Sequence, residues 1–122
     1  MPGMKPFSIA LLFAIGLAGA CAPAPAAPLA PFSVVEATIP EMQKAMQDGR
    51  VTSRHIVEQY LQRIGLYEDR LNAVMTVNPK ALEEADRLDQ ERKAGKVRGP
   101  LHGIPIALKD NIHTTDIPTT GG

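Results

Sequence analysis

Residues 99–111 of the chain read Gly-Pro-Leu-His-Gly-Ile-Pro-Ile-Ala-Leu-Lys-Asp-Asn, and this stretch carries most of what the sequence reveals. A short apolar run at 104–108 follows glycine and proline breakers and ends at Lys109. Four or five apolar residues between turn signals are typical of a buried strand. A lysine at the end of such a strand either points into solvent, as most lysines do, or is desolvated. Desolvation lowers the pKa of an ammonium group and lets the amine act as a base.

The order of residues 99–111, with Pro-Thr-Thr at 118–120, strongly resembles the amidase signature family. Members of that family are serine hydrolases of carboxamides that use a Ser–cis-Ser–Lys triad, and the triad lysine lies in this motif. The resemblance runs from about residue 36 to residue 122 and implies that Lys109 is the catalytic lysine. It also implies that Gly103, Asp110 and Asn111 support the loop around Lys109. Asp110 and Asn111 have an alternative role, because Asp-Asn readily forms Asx-type turns at a strand end.

The serines of the triad do not follow Lys109, since Ser53 is the last serine in the sequence. The resemblance therefore implies the N-terminal part of an amidase, truncated before the catalytic serines and inactive by itself. One alternative is a non-catalytic exported domain made from a truncated reading frame. Another is the subunit of a glutamine-dependent tRNA amidotransferase that shares the motif. An export signal argues against this second alternative, because tRNA charging is cytoplasmic.

Amide hydrolysis by serine places a requirement on Lys109. A base must take the hydroxyl proton and later return it to the leaving amine, so the lysine has to be neutral at the working pH. The pKa of a free lysine is near 10.4, and burial is what lowers it. His113 and Asp116 suggest a Ser–His–Asp arrangement instead, but only their proximity in sequence supports it.

The N-terminal third of the sequence has the features of an export signal and a tether. Residues 1–20 read as a signal peptide, with an apolar run too short for a transmembrane helix. Cys21 follows directly and is either the lipidated first residue of a bacterial lipoprotein or a free N-terminal cysteine. Residues 21–35 are a Pro/Ala-rich tether. We therefore expect an exported protein that is periplasmic, lipid-anchored to a membrane or secreted.

Residues 36–122 predict an incomplete α/β amidase domain, with helices packed on a mixed sheet. Cap residues and helical spacing predict three helices, and short apolar runs predict two strands. In chain order these are a helix from the Thr38 cap to Gly49, a helix capped by Thr52, a strand at 73–77, a helix at 79–94 capped by Asn78, and a strand at 104–108.

Composition argues against several classes of function. The 13 basic side chains balance 13 acidic ones, and no basic stripe points to a nucleic-acid partner. One cysteine and three histidines without ligand spacing predict no metal site, and we expect no cofactor. The expected partner is a small-molecule or peptide amide substrate.

Export can be tested by the intact mass of the protein made in a bacterial host. We expect a product that lacks residues 1–20, because cleavage beside Cys21 follows from the signal pattern. A large lipid increment on that product means a lipoprotein, and the same cut without the increment means a soluble exported protein. A retained signal in soluble cytoplasmic material would contradict both.

Overall fold

The computed structural model describes residues 31–121, and this part of the chain is built on three α-helices. They are α1 (Ile39–Gln47), α2 (Ser53–Leu71) and α3 (Ala81–Lys93), and α2 packs against α3. The predicted signal peptide, the proposed lipidation site at Cys21 and most of the predicted tether lie outside the described residues.

The first two helices begin at the threonine caps that the sequence predicts. The Glu41 backbone N–H donates to Thr38 Oγ1 at 3.4 Å, and the Thr38 N–H donates to Glu41 Oε2 at 2.8 Å, which confirms the capping box. Thr52 Oγ1 accepts from the His55 N–H at 3.1 Å. These bonds satisfy N–H groups that a helix start leaves unpaired. Hydrogen bonds from the Thr38 backbone and hydroxyl also lower the pKa of Glu41.

The third helix begins two residues later than predicted. Asn78 Oδ1 accepts from the Lys80 N–H at 2.9 Å, and the Asn78 carbonyl accepts from the Ala81 N–H at 3.1 Å. Asn78 therefore forms a turn through Pro79 instead of capping the α-helix directly. The helix starts at Ala81 without a side-chain hydrogen bond at its cap.

The predicted mixed sheet is not formed within residues 31–121, where neither apolar run adopts a strand. A strand exists only where a neighbour takes up its backbone hydrogen bonds, and no other described segment pairs with 73–77 or 104–108. The runs are instead largely exposed to solvent, with Met75 at 64% and Ile106 at 60% exposure. The α/β expectation is thus unmet in the described residues, which combine helices with irregular segments.

A small aliphatic core lies between α1, the start of α2 and the segment that precedes α1. Gln59 of α2 fastens that segment, since its Oε1 accepts from the Val34 N–H at 3.0 Å and its Nε2 donates to the Phe32 carbonyl at 3.0 Å. Ile104 packs against the same core, which therefore holds the beginning of the Lys109-bearing segment. The buried members of the core are Val34, Met42, Ala45, Met46, Val51 and Ile56.

Gly103 occupies a backbone conformation and a space that both require glycine. Its φ is +79°, in the left-handed region. A Cβ there would lie 3.1 Å from both Cβ and Oγ of Ser53, and 3.4 Å from Met46 Sδ. Helix α2 and the 99–103 turn therefore pack closely at Gly103, where the absence of a side chain leaves room for Ser53.

Substitution of Gly103 by alanine should destabilise the fold more than the same change at Gly95. Gly95 has φ +74° but nothing within 4 Å of the place where a methyl group would lie, so Gly95→Ala carries only the backbone penalty of about 1–2 kcal/mol. Gly103→Ala adds overpacking of about 1–3 kcal/mol. Urea unfolding of the chain, followed by circular dichroism at 222 nm, measures both losses. Equal losses would contradict the tight contact with Ser53.

Candidate active site

All three helices contribute to holding residues 99–103, the motif turn that leads to Lys109. Gln43 of α1 donates from Nε2 to the Pro100 carbonyl at 2.8 Å and to the His102 carbonyl at 3.0 Å. Arg92 of α3 donates from Nη2 to the same His102 carbonyl at 2.9 Å and to Gln43 Oε1 at 2.8 Å. The His102 carbonyl is thus bound from two helices at once, one of its donors being a charged guanidinium.

The imidazole of His102 is buried inside this arrangement, with 5% of the residue exposed. Its Nε2 lies 2.9 Å from the Leu88 carbonyl, and its Nδ1 accepts from the Arg98 N–H at 3.4 Å. A neutral imidazole has one donor and one acceptor, so these partners assign the proton to Nε2. His102 therefore ties the motif turn to α3.

Ser53, at the start of α2, fixes the other end of the motif turn. Its hydroxyl donates to the Gly103 carbonyl at 2.7 Å, and the residue is 2% exposed. The Asp89 carboxylate of α3 accepts from the Ser53 N–H at 2.7 Å and from the Arg54 N–H at 3.0 Å. A carboxylate is favourable at a helix N-terminus. Ser53 is therefore committed to a structural bond and is not exposed for attack on a substrate.

Ion pairs on the surface support the same region. Glu91 accepts from Arg98 Nε at 2.6 Å and also from Arg98 Nη2, and this pairing lowers the pKa of Glu91 and raises that of Arg98. Arg54 Nη1 lies 2.5 Å from Asp86 Oδ2, and the charge of Asp86 raises the pKa of Arg54. Exposed pairs such as these contribute little to stability, so the buried contacts of His102 and Ser53 dominate.

Lys109 lies beyond the motif turn, at the surface of the described residues. Its carbonyl accepts from the Ile112 N–H at 2.9 Å, so a turn begins at the lysine. The neighbouring apolar residues Ile106, Leu108 and Ile112 are 60%, 57% and 49% exposed. Residues 31–121 do not bury the amine, and the catalytic role of Lys109 stays a prediction.

Asp110 closes a loop across ten residues through its bonds to Thr120. Its Oδ1 accepts from the Thr120 N–H at 3.1 Å, and its Oδ2 accepts from the Thr120 hydroxyl at 2.5 Å. Its carbonyl accepts from the Gly121 N–H at 3.3 Å. Asn111 is exposed, and the supporting roles that the resemblance implies for Asp110 and Asn111 stay predictions. No hydrogen bond within residues 31–121 joins His113 to Asp116.

Reasoning from the sequence missed the residues that hold the motif turn. Apart from Arg98, four positions from His102, the partners of their side chains lie 10 to 59 positions away in the chain, and such contacts leave no periodic pattern. The one available signal is a small polar residue directly after a predicted cap, at position 53. The missed residues are Gln43, Ser53, Asp89, Arg92 and His102.

Metal and membrane features can be assessed for the described part of the chain. Within residues 31–121, no group of three or more His, Cys, Asp or Glu side chains is arranged to hold a metal ion. None of the helices of that part combines the length and the apolar character needed to cross a membrane.

Comparison with known proteins identifies the family. The family described as Amidase matches residues 55–122, which is more than half of the chain and includes Lys109. The chain belongs to the amidase family. The match begins inside α2, so the family-specific sequence contains α3, the motif turn and the loop closed by Asp110.

Relatives of the chain include amidotransferase subunits as well as amidases. An amidase-family protein of Schizosaccharomyces pombe is 44% identical over 88 residues, which is 71% of this chain and 15% of that protein. A glutamyl-tRNA(Gln) amidotransferase subunit from Synechococcus is 43% identical over 84 residues, 68% of this chain and 17% of that protein. The peptide amidase structure from Stenotrophomonas maltophilia matches with a TM-score of 0.70 at 43% identity, over 71% of this chain and 18% of that one. The chain thus spans less than a fifth of the length of these relatives.

Removal of the Arg92 guanidinium should loosen the motif turn. Arg92→Met keeps an unbranched apolar stem but loses the charged donor to the His102 carbonyl, a class of bond that contributes about 1.5–3 kcal/mol. We expect faster hydrogen exchange at the His102 and Ile104 amides, which close the turn. Lys93→Met, at the neighbouring position, is the matched control and should leave exchange unchanged. Equal protection in both variants would contradict the role of Arg92.

Proposed function

We propose that this chain is the lysine-bearing part of an exported amidase that hydrolyses carboxamides by a Ser–Ser–Lys mechanism. The observation that carries the proposal is the position of Lys109. It lies in the sequence Gly-Ile-Pro-Ile-Ala-Leu-Lys-Asp-Asn inside the family match, directly beyond a turn that three helices hold. The two serines would come from the part of an amidase that this chain does not span.

The proposed chemistry gives Lys109 one task, the movement of a proton. The nucleophilic serine attacks the carbonyl carbon as its proton passes through the bridging serine to the neutral amine of Lys109. The C–N bond then breaks, and the proton returns to the leaving amine. Water hydrolyses the acyl-serine by the same route and releases the carboxylic acid. General-base and nucleophilic catalysis of this kind require an unprotonated lysine.

The surface around Lys109 suits that requirement. Exposed apolar side chains at Ile106, Leu108 and Ile112 flank the lysine along the chain, and exposed apolar residues that cluster commonly mark an interaction site. A further part of the amidase that covers these residues would also exclude water from Lys109. Desolvation disfavours the ammonium form and lowers the lysine pKa. The same burial would therefore stabilise the fold and activate the base.

The proposed substrates are small-molecule carboxamides or C-terminal peptide amides. The similarity to a peptide amidase supports the peptide class, and an exported location favours amides met outside the cytoplasm. Similarity to a glutamyl-tRNA(Gln) amidotransferase supports a second candidate, the release of ammonia from glutamine for transfer onto tRNA. The predicted signal peptide disfavours this candidate. Ammonia release from glutamine, measured beside release from a peptide amide, distinguishes the two.

Lys109→Ala in the complete amidase that contains this sequence should lower turnover by about 10²–10⁴-fold, the usual loss when a general base is removed. Lys109→Arg should be nearly as inactive, because arginine does not deprotonate in proteins. Ammonia release from a panel of amides measures both. Retention of most activity by the arginine variant would rule out the role.

Two controls accompany this measurement. Lys96→Ala removes another exposed lysine of the matched region and should leave turnover unchanged. The 122-residue chain alone should release no ammonia, since it contains no serine after Lys109. Turnover by the short chain that Lys109→Ala abolishes would reveal a nucleophile within residues 1–122.

A further inference from the structure

The loop that follows Lys109 is closed by a two-point contact between Asp110 and Thr120. Both carboxylate oxygens of Asp110 engage Thr120, one at its backbone N–H and one at its hydroxyl. The Gly121 N–H adds a third bond, to the Asp110 carbonyl. Surface loops of 6–16 residues whose ends lie close together are frequently functional. This loop starts immediately after the proposed catalytic lysine.

The contact acts on Lys109 through the backbone. Residues 104–109 form no helix or strand, so no hydrogen-bonded ladder sets the direction of the lysine side chain. The segment is instead held at its two ends. Ser53 binds the Gly103 carbonyl at one end, and Thr120 binds the Asp110 side chain at the other. Asp110 is the residue next to Lys109, so the second anchor lies closer to the lysine in sequence.

We propose that Thr120 is a positioning residue for Lys109: by holding both carboxylate oxygens of Asp110, it fixes the direction in which the lysine side chain leaves the backbone. This inference rests on the proposed function. Thr120 does not contact the reacting atoms in this role. It acts through Asp110, and its hydroxyl is the group that matters.

The position of Thr120 separates this role from a general contribution to stability. The residue is exposed, and hydrogen bonds at exposed sites contribute little to the free energy of unfolding. A misplacement of about 1 Å in an active site, in contrast, lowers the rate by about 10²-fold. Loss of the hydroxyl should therefore affect catalysis far more than unfolding.

Three variants of the complete amidase test the inference. Thr120→Val keeps the shape of the side chain and removes the hydroxyl, and Thr120→Ser keeps the hydroxyl and removes the methyl group. Thr114→Val is the matched control, because the Thr114 hydroxyl lies in the same loop but donates to the Ile117 carbonyl at 2.8 Å. We expect Thr120→Val to lower kcat by about 10- to 100-fold with little change in KM or Tm. Thr120→Ser and Thr114→Val should stay close to the unaltered enzyme in kcat.

A mutant cycle with Asp110 provides the second measurement. If Thr120 acts through Asp110, the double variant Asp110→Ala/Thr120→Val should be no slower than Asp110→Ala alone. Additive losses would overturn the inference, and so would a Thr120→Val enzyme with normal kcat, or one that Thr120→Ser fails to rescue. Lys109→Ala in the same assay keeps the two proposals apart. If Lys109→Ala is inactive, a negative result with the Thr120 variants overturns only the positioning role of Thr120. If Lys109→Ala is active, the proposed function itself is refuted.

Discussion

The hydrogen bond from the Ser53 hydroxyl to the Gly103 carbonyl is the contact on which the arrangement of this chain depends. It brings the start of α2 so close to the motif turn that a Cβ at Gly103 would lie 3.1 Å from Ser53. Asp89 holds the same helix start from α3, and Gln43 and Arg92 bind the adjoining His102 carbonyl. These bonds from the three helices hold the residues at which the Lys109-bearing segment begins.

Features of the sequence that depend on near neighbours were predicted correctly. The capping box of Thr38 and Glu41 and the cap at Thr52 are confirmed, because each involves residues three positions apart. Asn78 was predicted to cap the third helix, and it instead forms a turn directly before that helix. A cap and an Asx turn use the same side-chain oxygen and differ only in the conformation of the residues that follow. The family was recognisable from the order of residues 99–111, and the family match confirms it.

Features that depend on distant partners were not predictable in the same way. The apolar runs at 73–77 and 104–108 have strand-like composition, but composition does not specify which segment pairs with them, and within residues 31–121 nothing does. Gln43 and Arg92 have no local signature, because they bind a backbone carbonyl that is distant in sequence, and the only local signal for Ser53 is its position directly after the Thr52 cap. The proposed role of Lys109 likewise depends on burial of its amine, and Lys109 is exposed in the described residues. The motif therefore identifies the lysine but does not show what lowers its pKa.

The long separation between Gln43 and His102 also has a consequence for the order of folding. Their hydrogen bond joins residues 59 positions apart, and contacts between distant residues form late because the intervening chain must first be closed into a loop. During synthesis, α1 therefore has no access to the motif turn until more than a hundred residues have been made. The bond between Gln43 and His102 thus has the longest sequence separation among the hydrogen bonds described for α1, and it forms only after α2 and α3 have been synthesised.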